Sequence, residues 1–199
     1  MRVGNEGYFG TMRNMLKNPN DSRRVFLRHA VRLAAAGAAL PFANKAMASI
    51  PGARSLAFDH THTGERISLI YAVDGQYLPD ALMAFNHLLR DHYSGQVGIL
   101  DPQLFDLLYQ VKRTLACEEA FQVISGYRCA ATNSMLHDTR GGGVARRSLH
   151  MDGKAIDIRL PGVSIADLRD AALSLRLGGV GYYQRDQFVH VDTGRVRSW

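Results

Sequence analysis

Two short segments limit what this chain can fold into more than anything else in it. Ser148-Leu149-His150-Met151-Asp152-Gly153-Lys154-Ala155-Ile156-Asp157 places a histidine and an aspartate on either side of a turn, and His190-Val191-Asp192 supplies a second histidine. Gly153 permits the tight turn, and Ala155 to Ile158 alternates as a strand does. His190 lies in another such run, so a fold that uses all three residues must bring two strands side by side. His150, Asp157 and His190 can then form a three-ligand site for a divalent metal. Imidazole and carboxylate donors suit zinc, and three protein ligands leave one position open for water, as catalytic rather than structural zinc sites do. For His150 and Asp157 alone, a hydrogen bond between them is the competing reading. Ser148, Gly153, Ala155 and His190 around the pair favour the metal.

Other residues stand near this centre by position. Ser125-Gly126-Tyr127-Arg128 follows a strand, with Gly126 permitting a sharp bend and Arg128 at the mouth of a cleft. Arg128 there can hold a substrate carboxylate or stabilise an oxyanion; the alternative is a surface arginine in a turn. Asp192 is two residues from His190 on a strand, so it faces the same side. It can orient His190, hydrogen-bond a water, act as a general base, or simply cap the Asp192-Thr193-Gly194 turn. His137 follows a short helix and can approach the cleft. His60 and His62 alternate in a strand and read as surface or hairpin residues.

The amino-terminal segment belongs to targeting. Ser22-Arg23-Arg24-Val25-Phe26-Leu27-Arg28 is a twin-arginine export signature, followed by an apolar run from Leu33 to Ala43 and the small-x-small site Ala46-Met47-Ala48. The run has 11 residues, within the roughly 7–15 of a signal sequence and short of the roughly 20 that span a bilayer. Residues 1–48 are therefore expected to be a cleaved signal segment, and 49–199 the mature domain, exported to the periplasm with no lasting membrane span. Residues 1–48 hold eight Lys and Arg against two Asp and Glu, which accounts for the whole net charge of +6. The mature part is neutral, so the basic pI is no argument for nucleic acid. Nothing in the sequence calls for a partner chain, and a monomer is expected. In an oxidising compartment Cys117 and Cys129 are candidates for a disulfide.

The mature length suits one domain with a sizeable core. Leu56 to Val73 reads as a β-hairpin turning at Thr63-Gly64, Leu78 to His92 as an amphipathic helix, and Asp101-Pro102 as the cap of a second helix. Phe121–Ser125, Ala155–Arg159, Gly179–Tyr183 and Phe188–Asp192 read as strands, Ala130–Leu136 as a short helix and Ser164–Arg176 as a longer one. Gly141-Gly142-Gly143 reads as a mobile surface loop. This order predicts an α+β fold with a mostly antiparallel sheet flanked by helices.

With these motifs in order, the chain resembles the zinc D-Ala-D-Ala metallopeptidase superfamily, which includes the hedgehog fold, and more narrowly its YcbK/MepK group of exported murein endopeptidases. The resemblance rests on Ser125-Gly-Tyr-Arg128 with Thr132-Asn133, Ser148-x-His150-x-x-Gly-x-Ala-x-Asp157, Gly179-Gly-Val-Gly-Tyr-Tyr183, and Phe188-Val-His-Val-Asp-Thr-Gly194 ending in Val196-Arg-x-Trp199. It implies a zinc enzyme with His150, Asp157 and His190 as ligands and Arg128 stabilising substrate or transition state. The substrate it implies is the amide bond of peptidoglycan cross-links. A D-amino-acid carboxypeptidase and a zinc-containing module that binds peptidoglycan without cutting it are the alternatives. Several relatives carry a catalytic glutamate three residues before the last histidine. Here that residue is Gln187, which cannot act as a base, and Asp192 is the first candidate for that role. Asp186, its neighbour, would face away on a regular strand.

Overall fold

The computed structural model describes residues 50–139 and 144–199; the expected signal segment with its expected cleavage site, and the expected loop at Gly141–Gly143, lie outside the described residues. Strands β1 (Ala53–His60) and β2 (Arg66–Val73) form the expected hairpin, with Phe58 opposite Ile67. A two-residue β3 (Gln76–Tyr77) extends it, and α1 (Pro79–Leu88) and α2 (Pro102–Leu115) follow. Then come β4 (Phe121–Ser125), α3 (Ala130–Thr139), β5 (Ala155–Arg159) and α4 (Ile165–Leu175). The chain closes with β6 (Gly179–Tyr183), β7 (Phe188–Asp192) and a short β8 (Arg197–Ser198). All eight strands join one sheet in the order β3-β2-β1-β4-β5-β7-β6-β8. Only β1 with β4 and β6 with β8 run parallel; the other neighbours are antiparallel. The fold is α+β and largely antiparallel, as the sequence predicts.

Local chemistry explains the helix starts. The Asp101 carboxylate accepts the Gln103 N–H at 3.0 Å with Pro102 behind it, and Ser164 Oγ accepts the Asp167 N–H at 3.1 Å. Both satisfy amides that would otherwise be orphaned in the first turn. Leu104, Leu107, Leu108 and Val111 form the buried stripe of α2. With α1 and α4 it covers one face of the sheet, where Leu56, Phe58, Leu69, Tyr71, Ile156, Ile158, Val189 and Val191 are buried. Phe58 lies at the heart of this layer, 5.1 Å from Phe85 and 6.2 Å from Phe121 between ring centroids. Its truncation to alanine would cost about 3–5 kcal/mol.

The opposite face of β5 and β7 is buried too, but beside Ala155 and Phe188 it carries Asp157, His190 and Asp192. Strand alternation therefore sorts these two strands into an apolar face and a polar one. Asp157 pairs with His190, His190 with Gly181 on β6, and Ser125 on β4 with Asp157. The ladder between β4 and β5 slips by one residue between Val123 and Ser125. That bulge turns Ser125 from the core side to the polar side, a usual way of re-aiming a side chain beside a site.

Two expectations change. The first helix stops at Leu88, short of His92, because the chain after it packs on the Ser125–Cys129 loop. The Leu89 carbonyl accepts the Tyr127 N–H at 2.8 Å, and the Asp91 carboxylate accepts N–H groups of Tyr93, Ser94 and Cys129. Cys117 and Cys129 are free thiols rather than a disulfide. They lie beyond opposite ends of β4. A five-residue strand rises about 3.3 Å per residue, which over its four steps separates its ends by about 13 Å, whereas a disulfide needs Cα atoms within about 7 Å.

Candidate metal centre

His150 sits in the turn that enters β5. Successive bonds, from Met151 N–H to the Ser148 carbonyl and from Lys154 N–H to the Leu149 carbonyl, close this turn. Gly153 is required in it twice over. Its φ is +67°, and a Cβ would fall on the Ile99 carbonyl oxygen. His150 Nδ1 donates to the Gly126 carbonyl at 2.7 Å, which fixes the ring and leaves Nε2 pointing at β5 and β7.

Three donor atoms meet there. His150 Nε2 is 3.2 Å from His190 Nδ1 and 3.3 Å from Asp157 Oδ1, and the latter two are 2.9 Å apart. Two zinc ligands at tetrahedral angles lie about 3.3 Å apart. The three side chains are buried, and their atoms converge as a set able to hold one metal ion. Burial pushes the His150 pKa down, against the attraction of Asp157. Burial also acts to lower His190, but the Asp157 and Asp192 carboxylates outweigh it and push the value up to about 9. Asp157 is held well below the usual carboxylate range: burial opposes this, and the two imidazoles prevail. The same carboxylates that draw a proton onto His190 would draw a divalent cation to its Nδ1.

Asp192 stands on the other edge of His190. Its Oδ2 is 3.1 Å from His190 Nε2 and accepts from Arg197 Nη2 at 2.7 Å. Its Oδ1 accepts from Gly179 N–H, Gly194 N–H and Arg197 Nη1. It has no solvent exposure, and its acceptor sites face His190 Nε2, Arg197 and two backbone amides. Burial works to raise its pKa, but these partners lower it well below the usual range. Arg128 lies on the opposite flank, with Nη2 3.2 Å from Ser125 Oγ and 3.8 Å from Asp157 Oδ2. Beyond β6, the Trp199 ring lies 5.2 Å from the His190 ring and its Nε1 donates to Tyr183 Oη at 3.0 Å. Gly181 leaves the space for that indole, since a Cβ there would meet its ring.

A cavity of about 590 Å³ opens over the donor atoms. Arg128, Arg147, Tyr183, Asp186 and Trp199 line it with His150, Asp157 and His190. Gln187 is a turn residue in the left-handed region, φ +56°, and its side chain donates to the Gln184 carbonyl. Asp186 is in the same turn rather than on a strand, so it lines the cavity instead of facing away. His137 is occupied elsewhere, with Nδ1 2.8 Å from the Val144 carbonyl. His60 ends strand β1 of the hairpin, where it is buried and packs with His62 and His92. Arg197 and Trp199 close the last sequence motif, but spacing gave them no role; only the three-dimensional return of β8 beside β6 brings them to the site.

An α+β frame with two imidazoles and a carboxylate buried under an open cleft is consistent with the M15 class of metallopeptidases, whose family model matches this chain. A family model described as peptidoglycan L,D-endopeptidase MepK matches residues 48–199, and the chain belongs to this family. It is 41% identical over 167 residues to the peptidoglycan L,D-endopeptidase MepK of Escherichia coli (strain K12), covering 84% of this chain and 91% of that protein. It is 43% identical over 161 residues to the probable peptidoglycan L,D-endopeptidase MepK of Haemophilus influenzae, covering 80% and 86%.

Proposed function

We propose that this protein is an exported, zinc-dependent murein endopeptidase that hydrolyses L,D cross-links between peptidoglycan stem peptides. One observation carries the reading: three buried donor atoms 2.9–3.3 Å apart at the floor of an open cleft. His150 Nε2, Asp157 Oδ1 and His190 Nδ1 would hold the ion. Zinc bound by them supplies a Lewis acid that polarises the scissile carbonyl and makes a water nucleophilic near neutral pH.

The chain's own groups do the rest. The Gly126 carbonyl and the Asp192 carboxylate hold the two imidazoles with their coordinating nitrogens bare, by accepting a hydrogen bond from the N–H of the other ring nitrogen. We assign Asp192 this orienting role rather than that of general base, because it faces the ring edge away from the donor triangle. Arg128 sits beside Asp157 and lines the cleft, where its charge supports a developing oxyanion. The proton of the attacking water passes to a group facing the cleft, and from it to the amine nitrogen as the C–N bond breaks; Asp186 is the carboxylate there outside the ligand set.

The twin-arginine segment and the cleavage site at Ala48 support action in the periplasm. No helix among the described residues is long and apolar enough to cross a membrane. Incubation of the zinc-loaded protein with cross-linked muropeptide dimers, read by mass spectrometry, tests the assignment. Conversion of dimers to monomers is the expected result. Loss of a single terminal residue would make it a carboxypeptidase, and unchanged dimers would make it a binding protein.

A further inference from the structure

The cleft contains three arginines whose charges are not equally spent. Arg197 is clamped on Asp192. Arg128 is turned toward Asp157, Ser125 and Asn133. Arg147 makes no side-chain hydrogen bond or ion pair among the described residues. It is exposed at the cavity rim, immediately before Ser148 and three residues from His150. The neighbouring residues 140–143 are Arg-Gly-Gly-Gly and contain no carboxylate.

Arg147 is nevertheless borne by a fixed support. Asn133 Nδ2 on α3 donates to the Ala145 carbonyl at 3.1 Å and to the Arg146 carbonyl at 3.2 Å. His137, one turn on, meets the Val144 carbonyl with Nδ1 and Arg146 Nε with Nε2 at 3.2 Å. Arg146 is thus folded back on α3, and the main chain on the amino side of Arg147 is tied down. On its carboxyl side the turn at Ser148 leads directly to His150. Asn133 and His137 have no contact with the donor atoms, and their bonds to this segment give them a purpose.

We infer that Arg147 is the substrate-recognising cation of the cleft, and that it receives a free carboxylate on a peptide residue next to the scissile amide. This rests on the peptidase reading above. The ligand class is an acidic peptide, one in which the residue joined at the cut bond still carries an unblocked carboxylate. A rim arginine acts by steering and by one solvated ion pair, so its effect is moderate and falls with salt.

The test crosses one variant with one substrate change. Arg147→Ala, Arg147→Lys and the unaltered protein are each given a cross-linked muropeptide dimer with free diaminopimelate carboxylates, and the same dimer with those carboxylates amidated. Both kcat/KM and equilibrium binding are measured at low and high salt. The unaltered protein should prefer the acid form by about fivefold at low salt, with the difference in KM rather than kcat. Arg147→Ala should lose that preference, and Arg147→Lys should keep part of it. An acid-to-amide ratio unchanged in Arg147→Ala would overturn the inference while leaving the peptidase reading intact. Binding that loses its preference in Arg147→Ala, with no hydrolysis by any form, would uphold the recognition and overturn the peptidase reading.

Discussion

His60, His62 and His92 gather at ring-to-ring distances of 4.2–6.1 Å, comparable with the 5.0 Å between His150 and His190. Yet the two groups are built for opposite ends. Around His150 and His190, each outward ring nitrogen has an oxygen acceptor, and Asp157 completes the donor triangle. In the other group His62 and His92 are stacked face to face, 4° from parallel. Nε2 of His60 and of His92 is buried without a partner. Carboxylates push His190 up to about 9, whereas burial and neighbouring cations push His60 and His92 down to about 4. What fits the first group to hold a metal ion is the carboxylates and carbonyl behind the imidazoles, not the imidazoles alone.

The comparison can be broken most severely at Asp157. Asp157→Ala should reduce hydrolysis of cross-linked muropeptides to background, since it removes a donor and leaves two buried imidazoles without their counter-charge. Next in size is Asp192→Asn. It keeps the shape but weakens the hold on His190 Nε2 and Arg197, and zinc affinity should fall about 10–100-fold in a chelator competition. An unchanged affinity would remove the orienting role.

The histidine trio gives a smaller effect of a different kind. Because its folded pKa lies below the ordinary value of 6.5, His60 takes up a proton on unfolding between about pH 6.5 and 4. Stability is full above that window and is lost as pH falls through it. His62, His60, Arg90 and Arg128 act in the same sense as burial on this trio, and Glu65 and Asp91 oppose them. The loss should be on the order of 2 kcal/mol, seen as a lower urea midpoint at pH 4.5 than at pH 7. His60→Phe should reduce that dependence and leave the share that His92 contributes. The smallest effect is expected of His62→Ala, which should change neither zinc content nor turnover.

Much of this was legible in the sequence because strand alternation is strict. Ala155-Ile156-Asp157-Ile158 and His190-Val191-Asp192 already say which side chains share a face, and the register of β5 with β7 does the rest. The early end of α1 was not legible, because Leu89 and Asp91 are recruited by Tyr127 and Cys129, remote in sequence. The burial of His60 within the hairpin was not legible for the same reason: the segment around His92 that packs on it arrives from beyond a helix. Alternation puts Asp192 on the face of His190 but does not say which edge of that imidazole its carboxylate meets, and the structure sets it 3.1 Å from Nε2. The slip at Val123 and Ser125 that turns Ser125 toward Arg128 has no signature in composition at all.

Zinc stoichiometry in the purified protein and two variants tests the central claim most directly. One zinc per chain is predicted for the unaltered protein and for His92→Ala, and none for Asp157→Ala. Zinc retained by Asp157→Ala, or lost from His92→Ala, would contradict the assignment of the metal to His150, Asp157 and His190.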